Sequence, residues 1–378
     1  MGEVANIPQL RFPEFSNEWE ESKVGKVFKV SAGGDIKTEN VSQIKTDGFP
    51  YPIYANAEKA KGLYGYSNLY KSEANVVTVA GRGVNIGIAH VRLEPFYPIV
   101  RLLVLNPIKD ADVKFWENQL NQLNLFVEST GVPQLTAPQI SSYKVKYPSK
   151  PEQQKIAAFL TAVDNKIEQL SKKQELLGEY KKGLMQQIFS QAIRFKADDG
   201  SDFPDWEEKK LGDVSDCLDN RRQPLNGAER NQMKGDIPYY GANGIVDYVN
   251  DYIFDEELVL LAEDGGNFND FSSKPIAQKI SGKAWVNNHA HILKAKNIIA
   301  TDFLFYSLVH KDIRRYIVGG SRAKLNKSDL LSIKTILPPL EEQAKIASFL
   351  SSIDNKIEQV GKQLVESKQF KKALLQQM

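Results

Sequence analysis

Residues 152–169 read EQQKIAAFLTAVDNKIEQ, and residues 342–359 read EQAKIASFLSSIDNKIEQ. The second stretch repeats the first at a constant distance of 190 positions, without a gap. Agreement of this length at one spacing marks an internal duplication. Each copy also carries a heptad pattern. Ile156, Leu160, Val163, Ile167 and Leu170 step by four and three, and so do Ile346, Leu350, Ile353, Ile357 and Val360. The steps continue through Gln174, Leu177, Lys181, Leu184 and Ile188, and through Leu364, Ser367, Lys371, Leu374 and Met378. A seam held over roughly four to five heptads predicts two long coiled-coil helices. Pro151 and Pro339 stand just before the predicted starts. The polar seam residues Gln174, Lys181, Ser367 and Lys371 weaken each C-terminal half, where Tyr180 and Phe370 are expected to turn into the seam.

Outward from these helices the duplication continues, but fainter. Phe12-Pro13-Glu14-Phe15 with Trp19-Glu20 is echoed by Phe203-Pro204-Asp205-Trp206-Glu207. Phe49 to Asn56 is matched by Ile237 to Asn243, and the apolar runs 76–80 and 258–262 each end in a Gly-rich turn, GRGVN and EDGGN. Further β-rich segments are expected at 97–105 and 284–293, helices at 111–127 and 301–316, and a closing loop and strand at 134–148 and 324–338. The fold class expected is α+β: two mixed α/β domains separated by two long antiparallel coiled-coil helices, with a pseudo-two-fold internal repeat. The boundaries follow: domain 1–149, helix 150–195, domain 196–338, helix 339–378. Residues 196–202, KADDGSD, read as a short polar linker. The helices are nearly identical while the domains have drifted apart. A shared frame carrying two different readers explains that contrast; two copies of one active site do not.

The 378 residues suffice for two ordinary domains. With 49 basic and 47 acidic residues, the net charge of +2 does not by itself announce nucleic acid. The single cysteine, Cys217, excludes an internal disulfide and fits a cytoplasmic location. No apolar run approaches the ~20 residues of a membrane span, and the N-terminus lacks the pattern of a signal peptide.

Catalytic signatures are missing. Pro338-Pro339 lacks the acid or amide and the aromatic ring that would hold a flipped adenine. Gly81 to Gly87 departs from GxGxxG spacing and reads as a hairpin turn. Pro204 to Lys209 crowds the acids that a metal nuclease needs on separate strands. Asn288-His289-Ala290-His291 would place both imidazoles on one strand face, with no evident third ligand. No catalytic residue and no metal site is assigned.

The block running from Pro339 through Glu342-Gln343, Ile346-Ala347 and Phe349-Leu350 to Ile353-Asp354-Asn355-Lys356-Ile357 resembles the conserved region of type I restriction-modification specificity subunits. Pro151 to Ile167 resembles it equally, and so does the alternation of variable domain and long helix over the whole chain. The resemblance implies a DNA-recognition subunit without catalysis of its own. Its implied partners are double-stranded DNA, two modification subunits that methylate adenine, and restriction subunits; no membrane is involved. S-adenosylmethionine, ATP and Mg would belong to those partners, with no cofactor in this chain. The competing reading is a coiled-coil scaffold that does not bind DNA.

Physical reasoning adds expectations. Antiparallel helices of roughly 38 residues span about 57 Å at ~1.5 Å per residue. The repeat then predicts two unlike half-sites separated by a fixed unread gap, of at most roughly 17 base pairs, and two equivalent docking surfaces. Exposed apolar residues near Phe159, Phe189 and Phe349 are candidates for that docking, with buried packing the favoured role for each phenylalanine. Arg and Lys suit guanine edges and phosphates, Asn and Gln suit adenine. The candidate DNA contacts are Lys61, Arg82, Asn85 and Arg92 in the first domain. In the second they are Arg221, Arg222, Asn243, Asn267, Lys274, Asn288, His289, Arg322 and Lys324, with Arg322 and Lys324 as the foremost pair.

Overall fold

The computed structural model describes residues 8–57, 59–123, 125, 133–320 and 323–378. The chain divides into two compact units, Met1–Ser171 with Lys362–Met378, and Lys172–Gly361. Each unit therefore contains the start of one long helix and the end of the other.

In the first unit, four antiparallel strands form a sheet in the order Phe28–Ala32, Leu103–Pro107, Val76–Val79, Ala89–Arg92. Val76–Val79 is buried along its whole length, which is why it reads as an unbroken β-branched run. A second sheet runs Val41–Ser42, Leu63–Ser67, Tyr51–Tyr54, Tyr97–Pro98, the last pair parallel. Glu20–Lys23 pairs antiparallel with Lys144–Tyr147. Phe28, Leu103, Leu105, Phe115 and Trp116 centre the core.

The second unit repeats the order of the first sheet, while in its second sheet the outer strand joins the opposite edge. Its first sheet runs Ser215–Cys217, Ala290–Ala295, Leu258–Ala262, Ala277–Ile280, and its second runs Gly244–Val249, Lys234–Gly241, Lys283–Val286, Phe254–Asp255. Glu207–Lys210 pairs with Lys334–Leu337 as the third element. The expected helices are shorter than the sequence suggested, Val113–Asn121 and Thr301–Leu308. Residues 309–316 instead turn and close with a short 3-10 segment, Arg314–Tyr316. Short helices that the sequence reading does not expect include Ala137–Ser142 and Lys327–Ser332. The first has a readable start: Thr136 and Gln139 form a capping box.

The long helices cover Lys150–Phe189 and Leu340–Gln377, 40 and 38 residues. Pro151 lies inside the first turn rather than ahead of it; an early proline costs no intrahelical hydrogen bond. In the first unit Ile156 and Leu160 pack in one core with Leu374. In the second, Met185 and Ile188 pack in one core with Ile346 and Leu350. Within each unit the start of one helix thus runs against the end of the other, which makes the pairing antiparallel. Ile156, Leu160, Leu170, Ile346, Leu350, Ile353 and Val360 are buried, while Val163, Ile167 and Ile357 are half-buried.

Tyr180 and Phe370 do not turn into the seam; they are 56% and 53% exposed. The neighbouring lysines keep the seam positions. Lys181 Nζ lies 2.6 Å from Asp354 and Lys371 Nζ lies 2.6 Å from Asp164, so each apolar stem packs inward while its charge finds a partner at the rim. The three candidate docking phenylalanines are half-buried and pack against the edges of the cores. Phe159 stacks edge-on with Phe12, Phe189 tilts against Phe303, and Phe349 meets Phe195.

The repeated Glu-Gln pair at each helix start ties helix to domain. Glu152 takes Arg11 through two contacts of 2.7 Å, and Gln153 accepts from Asp112 N and donates to the Pro148 carbonyl. Glu342 takes Arg194 at 2.7 Å and Trp206 Nε1 at 3.0 Å, and Gln343 accepts from Ala300 N and donates to the Pro338 carbonyl. All four side chains are at most 2% exposed. The polar linker is also held. Lys196 bridges Asp202 as a small hairpin, and Lys345 Nζ binds Lys196 O at 2.8 Å and Asp198 at 2.5 Å.

Candidate nucleic-acid interface

In both units the turns that follow the central strand meet other turns at one end of the sheets, and the same backbone bonds hold them. Leu135 N donates to Gly81 O at 2.9 Å, and Leu325 N donates to Glu263 O at 2.7 Å. The next residues form matching antiparallel bridges, Arg82 with Gln134 and Asp264 with Lys324. The frame is common, and the side chains it presents are not.

In the first unit the tip is basic and apolar. GRGVN is the hairpin turn expected, joining Val76–Val79 to Ala89–Arg92. Gly81 is required there: a Cβ would sit 2.9 Å from Arg101 O and 3.0 Å from Leu135 O. Asn56 binds the turns together, donating to Val100 O at 2.6 Å and accepting from Gly81 N at 2.9 Å. Asn85 donates to Asn56 O at 3.3 Å, so its amide serves the tip's own structure. Arg82 Nη2 donates to Gln134 at 3.1 Å, while its Nε has no acceptor among the described residues. Val84 is fully exposed. Two consecutive left-handed pairs, Ala60-Lys61 and Val100-Arg101, lie in these turns at φ between 50° and 58°. Such backbone costs energy in residues other than glycine and persists where surrounding contacts impose it. Here it leaves the Lys61 and Arg101 side chains exposed.

Arg92 is not available to DNA, contrary to the sequence reading. It is 3% exposed, donates to Thr78 Oγ1 and Lys61 O at 2.9 and 2.7 Å, and lies 3.5 Å over the Tyr54 ring. It positions the Lys61 turn from beneath. Arg101 was missed by sequence reasoning, because nothing local distinguishes the exposed turn in IVRLL from a strand.

In the second unit the tip is of mixed charge. Asn243 donates to Gly265 O at 2.8 Å, His289 Nδ1 lies 2.6 Å from Asp264, and Lys324 lies 3.0 Å from Glu263. Asn288 is exposed beside His289. Asn267 caps its own loop by donating to Pro275 O at 3.0 Å, and Lys274 pairs with Asp270 on the same loop. Arg221 leaves the cluster: it binds Glu256 at 2.9 Å and lies over Phe254. Arg322 lies outside the described residues.

Arg222 is a second correction. Its guanidinium is turned inward, 2.5 Å from Glu263, 3.4 Å from Asp219 and 2.9 Å from Ala290 O. Beside it His291 is 1% exposed, with Nδ1 2.6 Å from Asp219 and Nε2 2.8 Å from Leu325 O. His289 precedes the strand Ala290–Ala295 and His291 lies within it, so the two imidazoles do not share a face. Burial opposes charging His291, but Asp219, Cys217 and the Leu325 carbonyl outweigh it and raise its pKa to about 9. Cys217, Asp219 and His291 bring ligand-type atoms within 4.8 Å of one another. With both ring nitrogens donating, the imidazolium is an internal counter-ion to two carboxylates.

A family model described as the type I restriction modification DNA specificity domain matches residues 16–177 and again 204–367. The chain belongs to this family. A type I restriction enzyme specificity subunit of Haemophilus influenzae is 37% identical over 148 residues, which span 39% of this chain and only 37% of that relative. The MjaX specificity subunit of Methanocaldococcus jannaschii is 28% identical over 416 aligned positions, covering 98% of this chain and 95% of the relative. The crystal structure of the type I S subunit from M. genitalium superimposes with a TM-score of 0.68 at 18% identity, covering 98% of each chain. That likeness shows the fold: two mixed α/β domains, two long helices and an internal repeat. No helix among the described residues is long and apolar enough to cross a membrane.

Proposed function

We propose that this specificity subunit reads a bipartite, asymmetric target in double-stranded DNA, one half-site per domain. The observation that carries this reading is the pair of turn clusters, built on one backbone scheme and bearing different side chains. In the first domain Lys61, Arg82 and Arg101 supply cations for guanine edges or phosphate, and Val84 supplies an apolar contact of the kind a thymine methyl accepts. In the second, Asn243, Asn288, His289 and Lys324 supply amide and cationic donors, with Lys274 on the flanking loop and Asp264 as an acceptor suited to cytosine.

The paired helices set the gap between half-sites and dock two adenine-methylating modification subunits, one on each copy of the repeat. This chain catalyses nothing itself. S-adenosylmethionine serves the modification subunits, and ATP and Mg serve restriction subunits where they join. Mapping N6-methyladenine in DNA exposed to the assembled complex tests the reading. A methylated sequence with two unlike blocks and a constant spacer supports it. Methylation unaffected by removal of this subunit would reject it in favour of a scaffold that never meets DNA.

A further inference from the structure

Beneath the end of the first long helix, the second unit holds a cavity of about 270 Å³. Phe189, Trp206, Phe271 and Tyr306 give it an aromatic lining, and His310 and Lys311 add polar heads. His310 Nδ1 is committed to Phe271 O at 2.7 Å. Lys311 is half-buried; its backbone N–H donates to Leu308 O at 3.0 Å, but its ammonium makes no hydrogen bond or ion pair with any described residue. Glu208, the carboxylate acting on it, is already held by Lys334 at 2.6 Å, and burial, followed by Arg315, keeps the Lys311 pKa below its ordinary value. An ammonium withdrawn from water without a partner is costly, and an incoming anion relieves that cost.

Among the described residues the first unit shows no counterpart to this feature. Ala300 N and Asp112 N take the same glutamine contact from the two helix starts, which aligns Tyr306, Ser307, His310 and Lys311 with Asn118, Gln119, Gln122 and Leu123. Asn118 and Gln119 spend their amides on the carbonyls of Lys114 and Lys146. The corresponding cavity is about 20 Å³.

We propose that the larger cavity receives an aromatic side chain flanked by a carboxylate, presented by a modification subunit, so that the two docking sites on the repeat are unequal. This rests on the proposed docking of modification subunits along the long helices. The volume suits one bulky side chain and falls below the roughly 300–1,000 Å³ of small-molecule sites. The unpaired Lys311 supplies the charge complement, and buried aromatic anchors are what dominate protein interfaces.

The test is native mass spectrometry of the full chain titrated with its co-expressed modification subunit. Wild type is expected to take up two copies. Lys311→Glu should stop at one copy, with the second at least tenfold weaker, and Lys311→Arg should restore two. Lys182→Glu, on the exposed rim, should weaken the same copy without touching the core, and thermal unfolding verifies that each variant is folded. Uptake of two copies by Lys311→Glu with unchanged affinity, or loss of both copies, overturns the proposal. Saturable binding of indole-3-acetate that Lys311→Glu abolishes, with docking unaltered, would assign the cavity to a small anion and also overturn it. A wild-type chain that takes up no copy defeats the docking reading itself, a distinct result.

Discussion

Lys181 Nζ lies 2.6 Å from Asp354 Oδ1 across the helix pair in the second unit, and the repeat-equivalent residues make the reciprocal contact in the first, Lys371 with Asp164. The repeat maps Asp164 onto Asp354 and Lys181 onto Lys371, 190 positions on. Only an antiparallel register lets both contacts form together. A lysine at a seam position lowers hydrophobic burial, and what it contributes instead is direction and register.

Lys181→Glu should therefore lower stability by about 1 kcal/mol, with Lys181→Glu/Asp354→Lys recovering most of the loss. Thermal melts of the four members of the cycle measure it. Equal losses in single and double variants would show that the contact does not lock the register.

Glu342 and Glu152 carry more weight because they are buried. Glu342→Ala removes a fully buried carboxylate from Trp206 Nε1 and from Arg194, which is 24% exposed and keeps the Phe203 and Pro204 carbonyls, and should cost about 1–3 kcal/mol. Glu152→Ala does the same to Arg11. Denaturant titration should show each loss, and a change under about 1 kcal/mol would contradict the clamp.

The His291 network makes the second unit pH-dependent. Its folded pKa, about 9, lies above the ordinary 6.5, so the proton stabilises the fold fully below about pH 6.5 and that contribution is lost as pH rises through about 9. The span amounts to at most about 3 kcal/mol. The unfolding free energy measured from pH 6 to 10 should decline over this window in wild type and lie flatter in His291→Gln. Parallel profiles would remove the imidazolium from the account.

Arg92 and Arg101 should separate structure from recognition. Arg92→Ala unpins the Lys61 turn from below, so the thermal midpoint falls. Arg101→Ala should leave stability within about 0.5 kcal/mol and weaken specific DNA binding by about 1–3 kcal/mol, relaxing one half-site only. Filter binding against variant duplexes, at two salt concentrations, distinguishes lost base contact from lost phosphate contact.

The frame was legible in the sequence because it is written in periodic features. Heptads, a fixed repeat distance and Gly-rich turns between apolar runs each follow from local geometry. The tips were legible only as residue types. Arg92 and Arg222 read as surface cations, yet one lies over Tyr54 and the other is encircled by Asp219 and Glu263. No local pattern announces a guanidinium turned inward by residues far along the chain. Arg101 was hidden for the converse reason: flanked by Val100 and Leu102, it looks like strand until the left-handed turn exposes it. The Glu-Gln pairs were visible as repeats, but their purpose appears only once Arg11 and Arg194 arrive from separate segments. Tyr180 and Phe370 stay outside the seam because the stems of Lys181 and Lys371 fill it while their charges pair at the rim.

The central claim is that one duplicated frame presents two independent reading tips. Single-molecule mapping of N6-methyladenine for the assembled complex, after residues 204–338 are replaced by the same domain of another family member, tests it most directly. A new block is expected on one side of the methylated sequence, with the other block and the spacer length retained. Simultaneous change of both blocks, or of neither, would contradict it.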